Sequence, residues 1–331
     1  MRGLNFLYAL VSVHQELAPP VRGLNYIVQV RDGDTTISPA CAGTKTTIKE
    51  LIIKHIPLSL IPRMEERSSI LYIEYAKITR KGNTILVTSR DSEDEIQYSL
   101  YCCIASGPGT SITSSALQLL SQYNVGYAIT NSNMSHMIMM SHQPTSTTDY
   151  VAKQLEIAMS PSKTLDLAKR LYSMRFEDDV SDIHTMRELL GKEGASMRRL
   201  YRKLSDETGV PWERRNSLNR ETNTQYEKVN SAITMFNSVL YCVVECCMHA
   251  IGICPVIGIT HKGSALPLVY DVADVFKEEF CVRPAFEMVG NDPNIDIDFK
   301  DITERFCAMS DEKELPKKVS RLLLEMYGDN G

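Results

Sequence analysis

The sequence predicts an α+β protein, an N-terminal β-sandwich-like domain followed by a larger all-α domain. Three observations carry that expectation. β-branched and aromatic runs separated by turn residues crowd into residues 63–146. Beyond Ser141-His142-Gln143-Pro144 the apolar positions recur at helical spacing instead. The 331 residues also suffice for two cores. The chain divides accordingly into an extension of unknown role over 1–62, a β-rich domain over 63–146 and a helical domain with a C-terminal tail over 147–331.

In the extension, residues 26–30 read as a strand and 47–54 as a helix. Residues 69–78 (SILYIEYAKI) read as one strand, followed by the turn Lys81-Gly82-Asn83 and a second strand over 84–87. A third strand over 95–104 ends at the breaker Gly107-Pro108-Gly109, before a short helix over 110–122. Residues 125–130 and 136–140 read as a returning strand pair. Ser160-Pro161 opens a helix to 176. A segment over 183–208, interrupted near Gly191 and Gly194, stops at Gly209. The longest helix spans 224–250 and closes on Gly252. Pro267 opens a helix to about 280, and helices over 302–309 and 315–327 finish the chain.

A net charge of −5, with 43% hydrophobic and 23% charged residues, excludes global disorder and collagen-like repetition. The apolar stretch at 239–244 is cut short by Glu245 and His249, below the roughly 18 residues that span a membrane. The first residues lack a small-residue cleavage site. Nine cysteines, two adjacent pairs among them (Cys102-Cys103, Cys246-Cys247) and no CxxC, read as reduced thiols of a cytoplasmic protein.

Chemistry concentrates in the helical part. Asp271 and Asp274, three residues apart in a helical stretch, lie on one face. Adjacent carboxylates repel, which raises one pKa or invites a divalent cation. His261 lies ten residues before Asp271 and beside a glycine, and an Asp/Asp/His set suits Mg²⁺ or Mn²⁺. By spacing alone, the pair equally describes a solvated helix face. Glu193, between two glycines, reads as a further acid at a helix opening. Residues 192–220 hold eight basic and four acidic side chains, among them Arg198, Arg199, Arg202, Arg214 and Arg215. That excess fits phosphate contacts or a solvated amphipathic helix, with Tyr201 and Trp212 either stacking on bases or packing inward. The Met/His run over 134–142 reads as core rather than a copper site, and Gly107-Pro108-Gly109 lacks the residues that complete a phosphate loop.

In order, Leu190-Gly-Lys-Glu193-Gly, Gly209-Val-Pro-Trp212, Asn230-Ser-Ala, Leu240-Tyr241, His261-Lys-Gly, Tyr270-Asp-Val-Ala-Asp274 and Pro284-Ala-Phe-Glu287 resemble one family. It is the CRISPR-associated spacer-acquisition integrase, and the Cascade-associated (type I-E) branch is the most similar. The resemblance covers about residues 56–325. It implies a β-domain joined to an all-α catalytic domain. It also implies a Mg²⁺- or Mn²⁺-dependent DNA endonuclease and integrase that inserts prespacer DNA into a repeat array. Glu193, His261 and Asp274 would ligate the metal, with Asp271 supporting the pocket. Tyr75 would stack on the end of the prespacer duplex, and Arg198 and Lys262 would contact DNA. The implied partners are double-stranded DNA (prespacer and CRISPR repeat), a second copy in a homodimer, and the small second universal CRISPR-associated protein. Ser217 and Ser264 stand where the type I-E branch has a tyrosine and a lysine that read the adjacent motif, which leaves motif preference open. Two other readings stand beside this one: a transposon-type integrase working without the small partner, and a non-catalytic DNA-binding scaffold.

Overall fold

Tyr75 sets the layout of the β half. The structure is a computed structural model that describes residues 26–31, 34–39, 63–130, 137–141, 149–176, 178–212 and 224–328. Its first two strands, β1 (Tyr26–Arg31) and β2 (Asp34–Pro39), form an antiparallel pair, while the helix expected over 47–54 lies outside the described residues. The single strand expected over 69–78 is two, β3 (Ser68–Ile73) and β4 (Lys77–Lys81). Between them Tyr75 takes φ 49°, a left-handed conformation that ends one pleat and redirects the chain. Nothing in its β-favouring composition announces that break.

The third expected strand is also two. β6 (Glu93–Ile96) ends before a turn that buries Tyr98, and β7 (Tyr101–Ser106) starts beyond it. With β5 (Thr84–Thr88), β8 (Ser111–Ile112), β9 (Gly126–Thr130) and β10 (Met137–Ser141), two four-stranded sheets result, ordered β10-β9-β7-β3 and β6-β5-β4-β8. The first is parallel except for β10, and the second is antiparallel except where β8 joins β4. Helix α1 (Ser114–Gln122) starts four residues later than its apolar pattern suggests, because Thr113 caps it by accepting from the Ala116 N–H. Ile78, Ile85, Ile104, Leu119 and Leu120, none more than 1% exposed, form the apolar core here.

The helical part comprises α2 (Asp149–Ala158), α3 (Pro161–Phe176), α4 (Met186–Thr208), α5 (Gln225–Ile251), α6 (Pro267–Lys277), α7 (Arg283–Asn291), α8 (Phe299–Glu312) and α9 (Leu315–Tyr327). The expected interruption near Gly191 and Gly194 does not occur. α4 runs unbroken through both, started by a Thr185–Glu188 capping box and stopped by Gly209 at φ 71°. A second capping box, Thr224–Glu227, opens α5. The helix expected from Pro267 to about 280 is straight α-helix to Lys277 and then widens into a π-helical stretch, Glu278–Val282, that leads into α7.

α5 lies at the centre. It is long and apolar enough to cross a membrane, with mean hydropathy 1.5, yet 72% of that window is buried by the rest of the fold. Ile70, Cys102, Cys103, Ala105 and Ala128 of the first sheet join the same apolar cluster as α5, so the β half and the helices share packing. Cys103 on β7 and Cys242 on α5 meet across that seam, sulfur to sulfur at 3.4 Å, and the eight described cysteines are unpaired.

Candidate functional site

Three helices, α3, α4 and α6, and one loop build the pocket. α4 carries Glu193 and α6 carries Asp271 and Asp274, while His261 lies on the loop before α6. Glu193 is the eighth of the 23 residues of an unbroken helix rather than at a helix opening, and its flanking glycines lie inside α4. Gly258 tightens the loop. A Cβ there would fall 2.4 Å from the Pro267 ring, too close to fit.

Although three residues apart on one helix, the two aspartates do different work. The Asp271 side chain is fully buried and accepts from the backbone N–H groups of Ile259 (2.6 Å), Thr260 (3.1 Å) and His261 (3.2 Å) and from the Thr260 hydroxyl. It also accepts from His261 Nδ1 at 2.8 Å. Burial opposes its charge, but these donors, led by His261, hold the carboxyl below its ordinary range. Its oxygens are thereby committed to shaping the loop and fixing the imidazole. The same hydrogen bond is the main reason the His261 pKa is raised, against burial and with help from Asp274.

Asp274 faces cations. Lys277 Nζ lies 2.6 Å from its Oδ1, held charged by Asp274 and by Tyr241 despite burial, with the ammonium 5.0 Å from the Tyr241 ring centre. Its Oδ2 lies 3.9 Å from His261 Nε2 and 3.3 Å from Arg175 Nη1. The same Arg175 nitrogen lies 2.6 Å from Glu193 Oε1. One guanidinium nitrogen thus bridges carboxylates that are 81 residues apart in the chain.

The donor set fits a hard divalent cation. Glu193 and Asp274 converge on a point already held by a positive group. With Nδ1 committed to Asp271, Nε2 is the His261 ring nitrogen left facing Asp274. Tyr172, Phe176, Leu189 and Leu190 wall the pocket on its apolar side. Sequence reasoning missed Arg175 and Lys277. For Lys277 a signal existed, since Asp271, Asp274 and Lys277 repeat every three residues along one helix face. Arg175, at the end of α3, has no local signal, because its partners come from α4 and α6.

The proposed DNA-contacting residues are scattered more widely. Arg198, Arg199, Arg202 and Lys262 are exposed, and Arg199 pairs with Asp178 at 2.9 Å. Arg214, Arg215 and Ser217 lie outside the described residues. Tyr75 is 67% exposed and seated over Gly109, where a Cβ would come within 2.6 Å of its ring. Tyr201 and Trp212 pack inward, their rings stacked on each other at 4.3 Å and tilted against Tyr226 and Phe286, which engages them within the fold rather than on a base.

Fold and site together define an α+β protein with two four-stranded β-sheets and a carboxylate–histidine pocket in its helical lobe. The family model for CRISPR associated protein Cas1 matches residues 70–178 and 172–320, and the chain belongs to that family. It is 33% identical over 235 residues to the CRISPR-associated endonuclease Cas1 of Clostridium sp. (strain SY8519), covering 70% of this chain and 76% of that protein. To the Cas1 endonuclease of Escherichia coli (strain K12) it is 28% identical over 243 residues, covering 72% and 78%. Among solved structures, the TtCas1–DNA complex superposes with TM-score 0.70 at 26% identity, covering 79% of this chain and 92% of that one. A casposase bound to its integration product shares the fold, with TM-score 0.64 at 14% identity and coverage of 80% and 92%.

Proposed function

We propose that this chain is a divalent-metal-dependent DNA endonuclease and integrase of CRISPR adaptation, inserting prespacer DNA into the repeat array. One observation carries the reading: Glu193 and Asp274, from separate helices, meet at a single cation with His261 Nε2 beside them. Family membership and the endonuclease names of its relatives support it, as does the DNA bound in a solved relative.

The reaction is a transesterification. The prespacer 3′-hydroxyl gives up its proton as its oxygen bonds to the phosphorus of the repeat, the bond from phosphorus to the repeat's 3′-oxygen breaks, and that departing oxygen takes up a proton, so no net proton is gained or lost. Glu193, Asp274 and His261 would hold Mg²⁺ or Mn²⁺, which supplies charge neutralisation at the phosphoryl oxygens. Asp271 keeps the imidazole in the tautomer that leaves Nε2 open. Lys277 holds Asp274 in place and keeps positive charge where a phosphate approaches. No side chain is needed as a nucleophile. Exposed Arg198, Arg202 and Lys262 track the backbone, and Tyr75 presents a ring to the duplex end. The acting unit is a homodimer joined to the small second universal CRISPR-associated protein.

The test is strand transfer and cleavage of branched DNA with Mn²⁺, comparing wild type with Glu193→Gln. The proposal expects the variant to keep its circular dichroism and lose both activities. A folded variant that integrates at the wild-type rate removes the site. Integration by wild type without the small partner would favour the transposon-type reading, and metal-independent DNA binding with no cleavage would leave only a scaffold.

A further inference from the structure

Arg175 is an unusual occupant of such a pocket. Its side chain is 7% exposed, and its strong acceptors are two carboxylates that the proposed function assigns to the metal. Its remaining nitrogens are poorly served. Nη2 points at the Met197 sulfur, a weak acceptor, at 2.8 Å, and buried Nε has no partner among the described residues. A guanidinium kept for structure is ordinarily saturated by acceptors that stay put. Here both carboxylate contacts would be contested by an incoming cation, which leaves, beyond the Met197 sulfur, only the seat of the guanidinium 4.7 Å from the Phe176 ring centre.

The charge balance points the same way. Asp271 is matched by His261 and the donors around it. The rest of the pocket pairs Glu193 and Asp274 with Arg175 and Lys277. Those four side chains sum to zero charge, and a divalent ion entering beside Arg175 and Lys277 meets repulsion at short range. An anionic phosphate arriving with the ion offers the guanidinium a bidentate acceptor and restores the balance.

We infer that Arg175 is a resident counter-ion: it clamps Glu193 to Asp274 in the idle protein, competes with the divalent metal for both carboxylates, and releases them when a DNA phosphate draws it away. This rests on the metal reading above and adds that metal loading is coupled to DNA. Arg175 is thus a positioning residue that holds the idle pocket closed.

The experiment is a Mn²⁺ titration of the whole protein followed by the electron paramagnetic resonance of free Mn²⁺, with and without a DNA duplex. In wild type, DNA is expected to tighten Mn²⁺ binding on the order of tenfold, the size expected when one nearby positive charge is removed. Arg175→Gln should bind Mn²⁺ on the order of tenfold more tightly without DNA and gain little from DNA. Arg175→Lys, which keeps the charge, should bind nearly as weakly as wild type. Equal affinity in Arg175→Gln and wild type, or an equal gain from DNA in both, overturns the inference while leaving the metal site standing. Absence of saturable Mn²⁺ binding in wild type, or unchanged binding in Glu193→Gln, defeats the metal reading itself. A measurement on wild type alone covers a variant that does not fold. Diamagnetic Mg²⁺ with DNA should shift the Arg175 guanidinium ¹⁵N resonances, and unmoved resonances at saturating Mg²⁺ and DNA also reject the inference.

Discussion

The pocket of the helical lobe and the core between the two β-sheets are held together in opposite ways. In the β half, Ile78, Ile85 and Ile104 are fully buried and apolar, and a representative ion pair, Lys81–Glu95, sits at the rim with its lysine 55% exposed. In the pocket, the Asp271, Asp274, Arg175 and Lys277 side chains are all under 18% exposed, each charged and each matched by a partner. Apolar burial is non-directional and tolerates modest change. Buried charge does not, because removing one partner strands the other. The β half is thus a scaffold, whereas the pocket is a balance that any single change upsets.

Asp274→Asn attacks that balance most severely. It leaves Lys277 and Arg175 short of an acceptor and removes a proposed metal ligand, so strand transfer should fall about 10²-fold or more. Asn is preferred to Ala because it preserves volume and a carbonyl oxygen for the two cations. Wild-type turnover by the folded variant would show that the pocket is structural only.

Ile78→Ala makes the complementary cut. Emptying a fully buried site in the sheet core should cost about 2–5 kcal/mol in a urea melt. Activity per folded molecule should hold at low temperature. A loss of activity exceeding the loss of folded protein would join the two regions that the comparison separates.

Asp271→Asn tests the histidine within the pocket. The folded pKa of His261 is raised above 6.5, so its stabilising contribution is fully present below that value and is lost as pH rises through the folded pKa. Asp271 is lowered from 3.8, so its share is present above that value and is lost as pH falls through its folded pKa. The pair therefore stabilises most between about pH 4 and 6.5. In the variant the His261 pKa, followed by NMR, should drop, and the stability maximum in that window should flatten. An unmoved His261 titration would mean that Asp271 does not orient the ring.

The smallest effect is expected at the rim. Lys81→Ala should change stability by no more than about 1 kcal/mol, since an exposed pair contributes little. A larger loss would show that the β surface, too, depends on paired charge.

Legibility in the sequence followed the same division. Features set by neighbouring residues were readable: Gly209 and Gly252 as helix ends, Pro161 and Pro267 as helix starts, and the turn at Gly82. The α+β class followed from periodicity alone. Features set by distant residues were not. The break at Tyr75 depends on Gly109 beneath its ring, and α4 runs through Gly191 and Gly194 because its capping box and its packing outweigh two weak helix formers. Glu193, His261 and Asp274 were found as residue types in order, through a resemblance. Their meeting place was not, because Arg175 joins groups brought together only by tertiary packing.

The central position of α5 has a consequence for synthesis. Its greasy surface is covered by α6 through α9, all of which follow it in the chain. A ribosome therefore finishes this rod well before the segments that shield it, and in the interval the nascent chain presents an apolar cylinder of membrane-spanning length. Early and efficient docking against the sheet already made, through the seam at Cys103 and Cys242, is the available protection against misdirection and clumping.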